Sequence, residues 1–138
     1  MKSHILKVFT LAGMLAIPAA YAQDSHRVIA DIPFAFTVNH QALPAGEYEV
    51  SDGVAYGTVV IQSKDREHTV ITIANSAEAT DPGLDGKLVF QHYGNRYFLR
   101  EVFSPGVSIG RELPPTKGER EMASNHAGST VEVAALSR

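Results

Sequence analysis

The stretch KLVFQHYGNRYFLREVF, residues 87 to 103, decides the fold, because it consists of two strand-like runs joined by Gly94-Asn95. A glycine–asparagine pair between runs of β-branched and aromatic residues predicts a β-hairpin with a two-residue turn. Counting back from that turn gives the expected cross-strand partners: Tyr93 with Arg96, His92 with Tyr97, Phe90 with Leu99, and Leu88 with Glu101.

The predicted hairpin divides its side chains between two faces, because successive residues of a strand point to opposite sides of the sheet. One face is expected to carry Leu88, Phe90, His92, Tyr97, Leu99 and Phe103. The other is expected to carry Val89, Gln91, Tyr93, Arg96, Phe98 and Arg100. The polar groups of this stretch therefore do not form one cluster.

Each face of the hairpin offers candidate site residues. His92 beside Tyr97 is the strongest candidate for acid–base catalysis, with Glu101 as a third member of the site. The structural interpretation of the same pair, which we favour, is cross-strand packing of one ring on the other. We therefore expect no catalytic residue, and keep these three side chains as the alternative.

The other face of the hairpin offers a candidate binding site for an acidic ligand. Tyr93, Arg96 and Arg100 share that face, and guanidinium groups bind carboxylates and phosphates well. The alternative for these residues is a solvated or salt-bridged outer surface.

Two-residue alternation continues elsewhere in the chain and predicts an all-β fold. Residues 26–39 place apolar side chains at even positions: Val28, Ala30, Ile32, Phe34, Phe36 and Val38. Pro33 belongs to the outward set and cannot donate a ladder hydrogen bond, so it predicts an edge or a bulge. With the turn signals between them, such runs predict a single β-sandwich or small closed barrel of about seven or eight mostly antiparallel strands.

The last quarter of the chain departs from this alternation. Two prolines precede Thr116, and Glu119 follows three residues later, which is the spacing of a helix capping box. This predicts one short C-terminal helix over about Thr116–Ala123. The final segment, Thr130–Leu136, either adds a last strand or frays.

The first 22 residues predict export. They combine two lysines, an apolar run and a small-residue A-x-A ending, the order of a signal peptide cleaved between Ala22 and Gln23. The apolar run of about 13 residues is shorter than the roughly 20 that a bilayer needs. We expect one exported domain over residues 23–138, periplasmic or extracellular, with no membrane insertion after cleavage.

Composition narrows the chemistry of the mature chain. Removing Lys2 and Lys7 leaves ten of the twelve basic residues against fifteen acidic ones, a net charge of −5 that argues against a nucleic-acid partner. The chain has no cysteine, so it forms no disulfide and no thiolate metal site. The mature histidines are nowhere two or four residues apart, and we expect no metal site and no cofactor.

Two parts of the chain resemble known groups of proteins. The stretch LPAGEYEV, Leu43–Val50, resembles the turn and strand of carboxypeptidase-regulatory-like, prealbumin-type β-sandwich domains, which are mostly accessory. From Ile32 to about Glu121, the order IPFAF, LPAGEY, KLVFQHYGNRYFL and GRELPPTKGERE resembles small uncharacterised secreted bacterial β-proteins. The second resemblance implies a β-fold and no known activity; Gly118 departs from its helix pattern.

Three functional hypotheses follow. The first is a soluble, exported, non-enzymatic binding or structural accessory domain of the cell envelope, whose partner is an unidentified protein or small molecule. The second is a small hydrolase-like or ligand-sequestering protein with a site around His92, Tyr97 and Glu101. The third is a subunit that a partner strand completes, which requires Thr130–Leu136 to lack a partner of its own.

Overall fold

A computed structural model describes residues 27–80 and 85–137. The described part is mostly β-structure with one helix, as the sequence predicts. The predicted signal peptide and its cleavage site lie outside the described residues. The elements in chain order are β1 Arg27–Ile32, β2 Phe36–Val38, β3 Gln41–Leu43, β4 Gly46–Asp52, β5 Thr58–Ser63, β6 Thr69–Ile73, β7 Asn75–Glu78, β8 Gly86–Tyr93, β9 Arg96–Phe103, β10 Ile109–Glu112, α1 Lys117–Asn125 and β11 Gly128–Ser137.

The strands form one sheet that closes almost completely into a barrel. Neighbouring strands follow the order β3-β2-β9-β8-β11-β1-β4-β5-β6. Strand β10 pairs with both β9 and β7, and β7 continues from β6 after a single residue, so this end of the barrel is closed by hydrogen bonds. At the opposite end of the barrel, β3 and β6 are the first and last strands of this order, and no hydrogen bonds between them close the sheet there.

The strand count and the pairing direction differ from the prediction. The described residues contain eleven strands, and β2 runs parallel to β9, with Thr37 opposite Phe98. The long first strand of the prediction is divided at Pro33, which has no N–H for a ladder bond. The chain therefore leaves β1 there and joins the sheet again beside β9. Strand β2 is the second part of that predicted strand, whereas β3, which pairs with β2 after the two-residue turn Asn39–His40, was not predicted.

The interior of the barrel is filled with apolar side chains. The even-numbered residues of β1 and β2 are buried as predicted, together with Val50, Ile61, Leu88 and Phe90. Tyr48 is the largest buried side chain, and its hydroxyl donates to the Pro44 carbonyl oxygen at 2.7 Å. This bond from a buried tyrosine to the backbone four residues upstream is the arrangement of a tyrosine corner. The residues LPAGEY therefore form a fixed bend at the start of β4.

The β8–β9 hairpin confirms most of the predicted register. Tyr93, His92 and Phe90 face their expected partners, and Gly94 at the turn has φ 60°, which suits the first central position of a type II′ turn. Beyond Phe90 the register shifts by one residue at a β-bulge. Leu88 then faces Val102, and the predicted pairing of Leu88 with Glu101 is wrong.

The bulge also changes which side chain of β9 enters the barrel. Val102 joins the buried apolar cluster, whereas Phe103, which the counting placed on the same face as Leu88, packs outside that cluster. The physical reason is the two-residue side-chain period, since one extra residue reverses every later position of the strand.

The last two elements follow the sequence closely. The Thr116 hydroxyl caps α1 by accepting from the Glu119 N–H at 3.2 Å, and the helix extends two residues beyond the predicted end, to Asn125. Strand β11 lies inside the sheet, between β8 and β1. Thr130–Leu136 is therefore paired, which removes the ground on which the third hypothesis rested.

Candidate functional site

His92 and Tyr97 lie together in a stack of rings. Their ring centroids are 4.1 Å apart with an angle of 9° between the planes, and Tyr97 stacks at 3.9 Å on Phe34. Phe34 in turn meets the buried Phe90 edge-on at 5.0 Å. The His92 Nδ1 atom lies 3.5 Å from the Ser129 hydroxyl. The imidazole is thus held by ring packing that leads into the core.

Glu101, the third catalytic candidate, lies elsewhere. It faces Val89, whose side chain is outside the apolar cluster that contains Leu88 and Phe90. Four residues of an extended strand separate it from Tyr97, which corresponds to roughly 13 Å. The structure therefore brings two of the three catalytic candidates together and places the carboxylate near Arg100.

Tyr93, Arg96 and Arg100 lie on the outer face of β8 and β9. The Arg96 guanidinium is 5.1 Å from the Phe98 ring centroid, a cation–π distance, and its Nη2 is 3.5 Å from the Thr37 hydroxyl. The Tyr93 ring lies over Gly128 of the neighbouring strand, where a Cβ atom would come within 2.5 Å of it. Packing contacts account for both side chains.

Arg100 is engaged by helix α1. It forms a buried ion pair with Glu119 and donates to the Leu113 carbonyl oxygen at 2.8 Å. Burial lowers the pKa of Arg100, and the nearby Tyr93 and Glu112 act in the opposite direction. An Arg remains charged even so, and Arg100 serves to fix the helix on the sheet.

A cavity of about 260 Å³ opens at the end of the barrel that β7 and β10 close. We call it the end pocket. Its apolar walls are Val50, Val59, Val102, Val107 and Ile109, and its polar residues are Ser51, Asp52, Ser104 and Arg111, with Gly110 between them. Val50, Val59 and Val102 also belong to the core, so the pocket leads from the surface to the apolar interior.

An ion pair forms one wall of the end pocket. Arg111 Nε donates to Asp52 Oδ1 at 2.9 Å and Nη2 donates to Asp52 Oδ2 at 3.2 Å, which is a bidentate geometry. This pairing is the main cause that raises the pKa of Arg111. Because the guanidinium has five N–H groups, the pair still offers donors to a bound molecule while its net charge is zero.

Gly110 allows β10 to approach β9 closely beside this wall. A Cβ atom there would lie 2.4 Å from the Val102 carbonyl oxygen and 2.5 Å from the Phe103 ring. Only glycine fits such a contact without a shift of the backbone. The position of Arg111 therefore depends on the residue before it.

The β4–β5 connection, Gly53–Gly57, projects beside the end pocket, and we call it the tip loop. Val54 and Tyr56 are fully exposed. The loop is nevertheless fixed: Gly53 N–H donates to the Thr58 carbonyl at 2.8 Å, and the Thr58 hydroxyl donates to the Ala55 carbonyl at 2.6 Å. Val54 and Tyr56 thus present apolar surface on a fixed backbone beside the end pocket.

Sequence reasoning missed this site. Asp52 and Arg111 are far apart in the chain and meet only because β4 and β10 lie at the same end of the barrel. The alternation predicts that the valines point inward, but it contains no information on a gap between them. The tip loop had a signal in its composition, since GVAYG is a turn without a charged side chain.

Comparisons with known proteins identify no relative, because no family model, no curated protein and no solved structure matches the chain. Within residues 27–80 and 85–137, no three His, Asp or Glu side chains converge as metal ligands would. In the same part of the chain, no helix has the length and apolar character needed to cross a bilayer.

Proposed function

We propose that this protein is an exported, non-enzymatic binding protein of the cell envelope, and that its end pocket and tip loop hold an apolar group of its partner. The observation that carries the proposal is the end pocket itself, a cavity of about 260 Å³ with valine walls beside the exposed Val54 and Tyr56. Apolar concave sites with a few polar groups are the usual form of binding sites.

The lining of the end pocket indicates the chemistry of the bound group. Its volume is below the roughly 300 to 1,000 Å³ typical of sites for drug-sized ligands, so it suits a short alkyl chain or one side chain. Asp52 already neutralises Arg111, so a neutral polar head that both donates and accepts suits the pair better than a second carboxylate. We therefore assign an apolar group with a neutral hydrogen-bonding head.

The hydrolase-like hypothesis has weaker support. The cavity that holds buried apolar walls and an ion pair lies at Val102, whereas His92 and Tyr97 lie at the Gly94 turn, the other end of β9. Glu101 does not join them. That hypothesis also included a ligand-sequestering protein. We keep ligand binding, but assign it to the end pocket instead of His92, Tyr97 and Glu101.

Titration with 1-hexanol, followed by amide chemical shifts in NMR spectra, tests the proposal. Burial of a six-carbon chain at about 0.8 kcal/mol per CH₂ group gives up to about 4 to 5 kcal/mol, which corresponds to a dissociation constant near 1 mM. We expect saturable shifts around Asp52, Val59 and Val102. Absence of saturation, or shifts confined to other regions, would contradict the proposal.

A pocket-filling variant provides the control. Val107→Phe places a larger side chain in the end pocket from a half-buried loop position and should abolish hexanol binding. Val60→Phe makes the same change at a half-buried position of β5. Because Val59 faces the pocket, its neighbour Val60 points to the opposite face of the strand, and Val60→Phe should leave binding unchanged. Equal loss in both variants would mean that hexanol binds without using the end pocket.

The proposed export has its own test. When the full chain is expressed in a bacterium with a general secretion system, the protein recovered outside the cytoplasm should begin at Gln23. Intact-mass measurement reads this directly. A cytoplasmic product that retains its first 22 residues would refute export and leave the end pocket untouched.

A further inference from the structure

Two strand edges face each other across a groove on the side of the barrel. Strands β3 and β6 are the ends of the hydrogen-bonded path; β6 lines a cavity of about 460 Å³ with three residues, and β3 lines it with Gln41 beside the β2–β3 turn. We call this groove the seam. Its lining residues are Asn39, His40, Gln41, Thr69, Val70 and Ile71.

The pairing of β6 with β5 shows which backbone groups point into the seam. The Ser63 N–H donates to His68 and the Ala74 N–H donates to Gly57, at 2.9 and 2.8 Å, so the hydrogen-bonded positions of β6 are the even ones. Because the two kinds of pair alternate along an antiparallel ladder, the N–H and C=O groups of Thr69 and Ile71 point away from β5.

This edge lacks the features that usually protect a free edge. Natural edge strands carry lysine, proline or a bulge that prevents pairing with another chain. Strand β6 reads TVITI, with neither a charge nor a proline, and 65% of Ile71 and 68% of Ile73 are exposed. The charged residues of this hairpin, Lys64 to Glu67, are confined to its turn.

The directions of the two edges restrict what fits between them. Following the path strand by strand, with one parallel step between β2 and β9, β3 and β6 run antiparallel to each other. A single inserted strand would therefore be antiparallel to one edge and parallel to the other. The edge strand of a second folded copy already has a sheet neighbour, so it cannot use both edges.

We propose that the seam binds an extended peptide segment of another protein by β-strand addition. The segment is about three to five residues long, the length of the two edges. None of the six lining side chains carries a formal charge when His40 is neutral, which fits an uncharged segment with alternating apolar side chains. This inference is independent of the end pocket, which lies at the β7–β10 end of the barrel.

Selection of random heptapeptides displayed on phage tests the inference, with the purified protein as target and its Ile71→Pro variant as counter-selection. Proline removes the N–H that points into the seam and spares the ladder with β5. We expect enriched peptides to be uncharged and alternating, and to bind the variant at least about tenfold more weakly. Ile71→Thr keeps the N–H and should bind within about threefold of the unchanged protein.

Two further measurements keep the inference falsifiable. Thr69→Pro removes a second seam-facing donor at the first residue of the strand, where proline is best tolerated. It should weaken binding of the same peptides, and it serves as the test variant if Ile71→Pro does not fold. On peptide addition, amide exchange should slow at Thr69 and Ile71 and stay unchanged at Val70 and Thr72.

Three results would overturn the inference. The first is that no heptapeptide distinguishes the protein from its proline variants. The second is protection of the Ile71 amide that rises with protein concentration without peptide, which would show pairing between copies. The third is loss of peptide binding in Val107→Phe, which would place the peptide in the end pocket.

Discussion

The buried ion pair between Arg100 and Glu119 attaches α1 to the sheet, and removal of one partner should destabilise the protein strongly. Only 12% and 5% of the two side chains are exposed. Arg100→Met leaves the Glu119 carboxylate buried without its partner, and Glu119→Leu leaves the guanidinium so. Each uncompensated charge should lower the free energy of unfolding by about 3 to 5 kcal/mol.

That loss is a large part of the stability of a single domain, which is usually about 5 to 15 kcal/mol. Thermal midpoints of Arg100→Met and Glu119→Leu should fall by about 10 to 20 °C. Because tryptophan is absent from the sequence, equilibrium urea unfolding is best followed by circular dichroism at pH 7. The double variant removes both charges and should lie within about 2 kcal/mol of the unchanged protein, which gives a coupling energy of at least about 4 kcal/mol.

An exposed pair on the same helix serves as the control. Lys117 and Glu121 lie 3.9 Å apart, one helical turn from each other, with most of both side chains in solvent. Glu121→Gln should change the free energy of unfolding by less than about 0.5 kcal/mol. Single losses below about 1 kcal/mol that add in the double variant would show that Arg100 and Glu119 do not interact as described.

Three other predictions concern single positions. Gly110→Ala should cost several kcal/mol because its Cβ would lie 2.4 Å from the Val102 carbonyl, while Gly118→Ala, with open space around the new methyl group, should stabilise α1 by about 0.5 to 1 kcal/mol; urea unfolding compares the two. Burial and Asp65 raise the pKa of Tyr48, so the unfolded state loses the phenol proton first and stability should fall as pH rises above about 10. Tyr48→Phe should cost about 1 kcal/mol at pH 7 and flatten that alkaline decline in urea titrations, and an equal decline in both proteins would refute this assignment. His92→Phe preserves the ring stack and should change stability by less than about 1 kcal/mol, with hexanol binding intact; lost binding would restore a functional role for the imidazole.

Much of the fold follows from local patterns. Alternation predicted that the even-numbered side chains from Val28 to Val38 point inward. Gly94 and Asn95 predicted the β8–β9 turn, and Thr116 predicted the start of α1. These features depend on neighbours in the chain, which the sequence displays directly. A period of two or a cap needs no knowledge of distant contacts.

The rest depends on contacts between distant segments. The bulge at Arg100 has no local signal in the sequence, and it lies where β9 pairs with β8 and where Arg100 meets Glu119 of a later helix. The parallel contact of β2 with β9 requires knowledge of where the chain goes after Pro33. The end pocket also depends on distant contacts. Residues of β4, β5, β9 and β10 line it, and its ion pair joins Asp52 of β4 to Arg111 of β10. Histidine, tyrosine and arginine residues favoured a site at the Gly94 hairpin, whereas the cavity is lined by valines at the other end of β9.

Diffraction from crystals of the protein held under xenon pressure tests the central claim most directly, since xenon binds to apolar cavity walls. We expect a xenon atom among Val59, Val102 and Val107, with the Arg111–Asp52 pair undisturbed. Absence of xenon from the end pocket, with xenon bound beside His92 instead, would contradict the claim.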